Sequence, residues 1–324
     1  MIAFSEAETV NFTLDPEAPV LVIGAAGLDI VGRISENMEM GTSNPAQIRF
    51  SYGGTARNVA ENLARLGQSV RLITAVGVGS KGDQLLDYIQ HAGVDVSESM
   101  RSAELSTGSY LAIVDSEGEM QIALDDMGAV KSLKSAYLRE RYRLFKNASL
   151  LFIDTNLPEK TIKTAMSLAR RAKLPVIADP TSISLAPKLN PYLEQLFLVT
   201  PNGAEAAVFC EQDFDATDPN QAVDVAKHLV GQGVRIAIIS LAEIGVCYAT
   251  SETSGYVPAI RTEILDPTGA GDALTATVIF ALLNDIPLDD AVRLGVSAAS
   301  LTLRHPGAVL PDLSLEKLYN QLVI

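Results

Sequence analysis

The run Asp266-Pro267-Thr268-Gly269-Ala270-Gly271-Asp272 decides how this chain is read. It follows a β-like segment at 261–265 and opens a helix-like one at 273–280. Gly269 and Gly271 have no side chain to block a ligand, so consecutive backbone N–H groups can close around an anion. The helix start adds unsatisfied amides and the positive end of a dipole. Asp272 places a carboxylate beside that cradle. Amides that hold a migrating charge, next to a carboxylate that accepts a hydroxyl proton, suit phosphoryl transfer to an alcohol. On spacing alone the run reads equally well as a glycine-rich strand-to-helix turn with Asp272 as the helix cap.

Outward from that run, short apolar stretches alternate with helix-period ones. Strand candidates lie at 20–24, 70–76, 150–153, 175–178, 196–199 and 235–240. Between them, Ile162, Met166 and Ala169 follow Pro158, and Val223, Ala226 and Val230 precede Gly233. Buried β-runs joined by crossover helices predict an α/β fold with a mostly parallel sheet covered on both faces. No repeat, low-complexity tract or linker interrupts the pattern, so residues 1–324 are expected to form one domain. Two places break the rhythm. Residues 47–52 alternate in polarity before Gly53-Gly54, and 110–114 and 120–124 flank Asp115-Ser116-Glu117-Gly118 as a hairpin. They predict a small separate sheet, a lid near 42–52 and 107–127 jointed at Gly53-Gly54. The alternative is an antiparallel edge on the main sheet.

Charge and composition narrow the chemistry. Lys plus Arg number 25 against 39 Asp plus Glu, a formal net charge of −14, which disfavours nucleic acid and anionic membranes as partners. No apolar run is long enough to span a bilayer. Residues 1–8 are acidic and lack a basic, apolar leader. Cys210 and Cys247, the only cysteines, have no metal-ligand spacing and read as free thiols in a reducing cytoplasm. His91, His228 and His305 are scattered away from any nucleophile or glycine turn, so the general base is expected to be a carboxylate. A rival signal is Gly77-Val78-Gly79-Ser80-Lys81-Gly82, with Asp95 and Glu98 near the place of a ribose-binding carboxylate. It would make the protein a nicotinamide-dependent oxidoreductase. There is no P-loop and no G-x-S-x-G elbow.

The segment from Gly53 to Gly67, GGTARNVAENLARLG, joins a double glycine to a helix whose buried face is Val59, Leu63 and Leu66. Asn58 in the first turn can offer its amide to a ligand; alternatively, Asn58 and Arg57 only cap or solvate the helix. This segment and the closing Gly269-Ala270-Gly271-Asp272 resemble, in order, the two signatures of the ribokinase-like (PfkB) family of carbohydrate and nucleoside kinases. The resemblance covers the chain from Val20 onward.

The resemblance implies a three-layer α/β/α sandwich with a nine-stranded, mostly parallel central sheet and a β-lid. It implies transfer of the γ-phosphoryl of ATP, with Mg²⁺, to a sugar hydroxymethyl group. Asp272 then stands as general base, with Gly269, Ala270 and Gly271 as anion hole. Asp29, Gly53, Gly54 and Asn58 hold the acceptor. Asn202 and Glu205 form the N-x-x-E element, with Glu205 organising Mg²⁺ through water. Ser240, Glu243 and Gly245 lie in the nucleotide loop, and Asp266 and Thr268 mark a potassium site found in many members. A homodimer through the lid is expected. Two residues depart from the pattern: Ala242 replaces a common glycine, and Gly27 replaces a common Asn. Three stretches, 42–50, 108–111 and 118–127, are similar to those of pseudouridine kinases, and Asn156 is placed to read a uracil-like edge. The expected reaction is phosphorylation of the 5′-hydroxyl of pseudouridine or a related ribosyl compound. The alternatives are a kinase for ribose, fructose or 2-keto-3-deoxygluconate, and a non-catalytic nucleoside-binding protein.

Overall fold

The computed structural model describes residues 14–35, 38–117, 119–210 and 214–322. The acidic N-terminal stretch and Gly118 of the hairpin turn lie outside them. Val20–Ile23, Leu151–Asp154 and Val176–Asp179 are apolar except for a closing aspartate in the last two, and almost all of their residues are buried. Only strands covered on both faces tolerate that composition. They form the centre of an eight-stranded sheet in the order Ser254–Pro258, Gly245–Ala249, Ile236–Ser240, Leu198–Val199, Val176–Asp179, Leu151–Asp154, Val20–Ile23, Val70–Ile73. The last six pair in parallel, and the Gly245–Ala249 hairpin adds the antiparallel edge. Helices pack on both sides, around one cluster containing Phe145, Ile162 and Ala226 and another containing Val59, Leu63 and Ile279.

The chain leaves Val20–Ile23 toward one edge and returns on its other side at Leu151–Asp154. Such a switch point opens a crevice at the carboxyl ends of the strands, where α/β proteins bind ligands. The site forms there.

Several sequence expectations change in detail. The candidate strand at 70–76 is two strands: Val70–Ile73 joins the central sheet, while Ala75–Gly77 pairs with Met100–Ser102 in a sheet of its own. The break falls at Thr74, whose carbonyl accepts the Met100 N–H at 2.8 Å. The central sheet thus has eight strands among the described residues, not nine. Residues 261–265 are irregular rather than β, and helix Ala270–Leu283 starts early enough to include Asp272. In helix Pro219–Gly231 the buried stripe is Ala222, Ala226 and Leu229, with Val223 and Val230 at its margin.

The expected small sheet is present, in the order Ala46–Gly53, Gly27–Ile34, Gly108–Val114, Met120–Asp126. Its register separates two faces. Ser51, Asp29, Tyr110 and Asp125 lie in one row, with Arg49, Val31, Ala112 and Ala123 next on that face. The opposite face carries Phe50, Ile30, Leu111 and Leu124, then Ile48, Gly32, Ile113 and Ile122.

Candidate active site

The glycine run is built as an anion turn. Gly269 has φ 81° and is the N-terminal boundary of helix Ala270–Leu283. A Cβ there would lie 2.0 Å from the Ala308 carbonyl oxygen, so no other residue fits. Asp272 sits in the first helical turn and does not cap it. Its Oδ2 accepts a hydrogen bond of 2.6 Å from Nδ2 of Asn58, in the first turn of helix Thr55–Arg65. The two signature helices thus meet at the proposed base. Asn58 is buried and its Oδ1 has no hydrogen-bond partner among the described residues. Burial pushes the Asp272 carboxyl up to about 6, against the Asn58 bond and the Arg57 charge. A carboxylate poised near neutral suits a general base.

Asp29 reaches this crevice from the small sheet. A Cβ on Gly53 would meet the Asp29 carboxylate at 2.1 Å, and one on Gly54 would meet the Ala25 carbonyl oxygen at 2.5 Å. The double glycine therefore lets the sheet's end close against the core. Gly27 has the same cause: a Cβ there would lie 2.8 Å from the Gly108 carbonyl oxygen, leaving no room for the Asn it replaces. Burial raises the Asp29 carboxyl to about 6 as well, opposed by Arg57 and Arg49. Arg57, for which capping or solvation was the alternative reading, is 1% exposed. It bonds Glu61 at 2.7 Å and the Gly53 carbonyl at 3.3 Å, and closely approaches the Tyr52 carbonyl. It fixes the joint between small sheet and helix.

Further carboxylates line the crevice. Asp154 and Asp179 end adjacent parallel strands. Asp154 accepts the N–H groups of Ala25, Ala56 and Asn156 at 2.7, 3.1 and 2.9 Å, and burial still raises its carboxyl. Asp179 is pushed well above the ordinary range by burial and by the nearby charges of Asp272 and Glu205. Glu205 and Asn202 bond each other's backbone N–H at 2.9 Å, a reciprocal cap on helix Gly203–Cys210. Burial raises the Glu205 carboxyl too. Among the described residues, no three acidic, His or Cys side chains form a metal cage. Crowded carboxylates without a cage fit a hydrated Mg²⁺, which keeps several of its waters.

Beside the anion turn lies a cleft of about 580 Å³. Its walls are apolar, with Val246, Leu274, Val296 and Leu303, while Ser240 and Ser300 add hydroxyls. Glu243, Gly245, Ala270 and Gly271 also line it. Asn202 bridges to Ser240 at its edge. Ala242 adopts φ 48°, the left-handed conformation a glycine would supply, so the departure keeps the loop's shape. An apolar slot with few polar groups, ending at an anion turn, suits a nucleotide base and its phosphates.

The sequence profile of pfkB family carbohydrate kinases matches residues 18–314. The chain belongs to that family. It is 31% identical to the pseudouridine kinase of Escherichia coli, covering 91% of this chain and 94% of that one. It is 28% identical to the guanosine-inosine kinase of Exiguobacterium acetylicum, over 87% and 93% of the two chains. The Arabidopsis thaliana ribokinase structure complexed with ribose and ATP superposes with a TM-score of 0.84 at 19% identity, covering 95% of this chain and 99% of that one. The architecture is the ribokinase-like α/β sandwich.

Most family-implied positions converge: Asp29, Gly53, Gly54, Asn58 and Asp272 at the crevice, and Ser240, Glu243 and Gly245 at the cleft. Asn156 instead serves Asp154, through both its backbone and its side chain. Two glycines of the 77–82 motif answer to packing: a Cβ on Gly77 would lie 2.6 Å from the Leu105 carbonyl oxygen, and one on Gly82 2.1 Å from the Gly77 carbonyl oxygen. Asp95 pairs with Arg71, and Glu98 with Arg141 and Arg143, so the carboxylates of a dinucleotide site are committed elsewhere. Asp154, Asp179 and Arg49 went unread, and Arg57 was read only as an alternative cap or solvated position. Each aspartate closes a strand candidate, a visible signal for a ligand crevice. For Arg57, its four-residue spacing to Glu61 was the available signal.

Proposed function

We propose that this protein is an ATP-dependent kinase that phosphorylates the 5′-hydroxyl of pseudouridine or a closely related ribosyl compound. The observation that carries the chemistry is the Asn58–Asp272 pair at the start of the anion turn. The acceptor oxygen attacks the γ-phosphorus, its proton passes to Asp272, and the bond to the ADP oxygen breaks. Amides at 269–271 hold the charge on the transferring group. Asp29 and the free Oδ1 of Asn58 orient acceptor hydroxyls. Mg²⁺ would be held near Glu205 and Asp179 and would neutralise phosphate charge. The small sheet acts as a lid over a single catalytic domain, keeping water from the γ-phosphoryl.

The nucleoside reading rests on the row beyond Asp29. Tyr110 and Asp125 offer a hydroxyl and a carboxylate to the N–H edges of a base, which a free sugar leaves unfilled. Sites built to pair polar groups reject analogues lacking them. In a substrate panel with coupled ADP detection, kcat/KM for pseudouridine should exceed those for uridine and free ribose by about tenfold or more. Omitting Mg²⁺ should stop turnover. Equal rates on ribose or fructose would move the assignment to a sugar kinase.

We also infer a homodimer through the lid. Its outer face exposes Ile48, Phe50, Ile122 and Leu124, between 51% and 70% each. A contiguous apolar sheet face is self-complementary about a two-fold axis. Sedimentation should give a dimer for the parent and a monomer for Phe50→Asp with Ile122→Asp; a monomeric parent refutes the interface. Free cysteines suit a cytoplasmic setting, and no described helix is long and apolar enough to cross a membrane.

A further inference from the structure

Asp266 stands where the family resemblance implies a potassium site, yet its carboxylate is already supplied with donors. Oδ1 accepts the Thr268 N–H at 3.0 Å. Oδ2 accepts the Gly307 N–H at 3.0 Å and a close ion pair from Nη2 of Arg49. Arg49 belongs to the lid strand Ala46–Gly53, on the face that carries Asp29. The Asp266 side chain is 6% exposed and that of Arg49 43%. The small sheet therefore supplies a cation to a buried anion in the core.

We propose that Arg49 is a positioning residue: its guanidinium, carried by the lid, replaces a soluble monovalent cation as the partner of Asp266, so that lid closure sets the anion turn. Asp266 is well placed to transmit this. It lies three residues before Gly269, and its N–H and that of Leu265 both reach the Leu303 carbonyl. Gly307 and Ala308 continue from that segment, and Ala308 is the residue that crowds Gly269. Asp266 is thus the joint between the turn and the strap behind it. Burial alone raises its carboxyl, but the Thr268 and Gly307 bonds and the Arg49 charge outweigh this and hold it below the usual range. A guanidinium carried on the lid pairs with Asp266 only while the lid is seated, which ties a formed turn to a closed lid and suppresses ATP hydrolysis by water.

The inference rests on the kinase reading, so its test has an arm independent of turnover. Hydrogen–deuterium exchange over residues 46–53, without substrate, should quicken by about tenfold in Arg49→Ala and stay near parental in Arg49→Lys. Unchanged exchange in Arg49→Ala overturns the latch whatever reaction the protein performs. In assays, the parent should turn over equally in potassium and in tetramethylammonium buffers. Arg49→Ala should lose about tenfold in kcat and hydrolyse more ATP per acceptor phosphorylated, with Arg49→Lys recovering part of the loss. A parent strongly activated by potassium, or Arg49→Ala with parental kcat and coupling, overturns the proposal. Absence of transfer to every acceptor instead overturns the kinase reading, and the exchange arm still decides this one.

Discussion

Asp272→Asn is expected to lower kcat by about 10²–10⁴-fold, the usual loss when a general base is removed, while folding more stably than the parent at neutral pH. The two effects share one cause. Burial holds the Asp272 carboxyl near 6 instead of the ordinary 3.8, so the fold prefers its protonated form. That preference contributes fully below about pH 4 and is lost as pH rises through about 6. At pH 7 the parent carries a buried charge whose cost, from a shift of about two units, is at most about 3 kcal/mol. Asparagine is neutral throughout and its amide oxygen can still accept the Asn58 bond. Thermal melts should therefore separate variant from parent at pH 7 and converge toward pH 4. In the parent, kcat should rise with pH through about 6 as the base loses its proton. A variant with parental kcat removes Asp272 from the role of base.

Much of this architecture was legible because the central strands are short, wholly apolar and punctuated. Runs such as 150–153 and 175–178 are each followed by an aspartate, Asp154 and Asp179, which pair as the last residues of their strands at the sheet's open end. The 70–76 run misled for the opposite reason: Thr74 interrupts the apolar character too weakly to show that the chain changes sheets. The small sheet was legible from alternation, which reports that two faces differ but not what each face meets. Arg49 shows that limit. Its partner Asp266 lies 217 residues away, and only the strand register turns the guanidinium toward it. The Asn58–Asp272 bond, across 214 residues, is of the same kind. Each signature declared a ligand-binding helix start, and neither carries information about the distance between them. Asn202 and Glu205 were legible as a pair only through the family resemblance, whose N-x-x-E spacing is also that of a capping box. Their reciprocal bonds give the cap a structural part in addition to the metal role proposed for Glu205.

The strongest test of the anion turn compares two glycines two residues apart. A methyl at Gly269 meets the Ala308 carbonyl oxygen at 2.0 Å, and the residue's φ of 81° is itself unfavourable for alanine. Neither conflict can relax without moving backbone, so Gly269→Ala should destabilise by about 2–4 kcal/mol. Its thermal midpoint should fall by roughly 5–10 °C, with activity lost alongside. Gly271 is different. It lies inside the first helical turn, and a Cβ there meets nothing within 4 Å. Alanine at a helical position is favoured over glycine by about 0.5–1 kcal/mol, so Gly271→Ala should fold at least as well as the parent. The methyl would nevertheless occupy the side of the turn that opens on the nucleotide cleft. If phosphates approach the backbone there, kcat should fall by about tenfold or more although stability is untouched, because the donors no longer reach the developing charge. A purely structural glycine turn predicts the reverse for this variant: a more stable protein with parental turnover. That outcome would place the transferring phosphoryl away from residues 269–271 and leave Asp272 without its reaction partner.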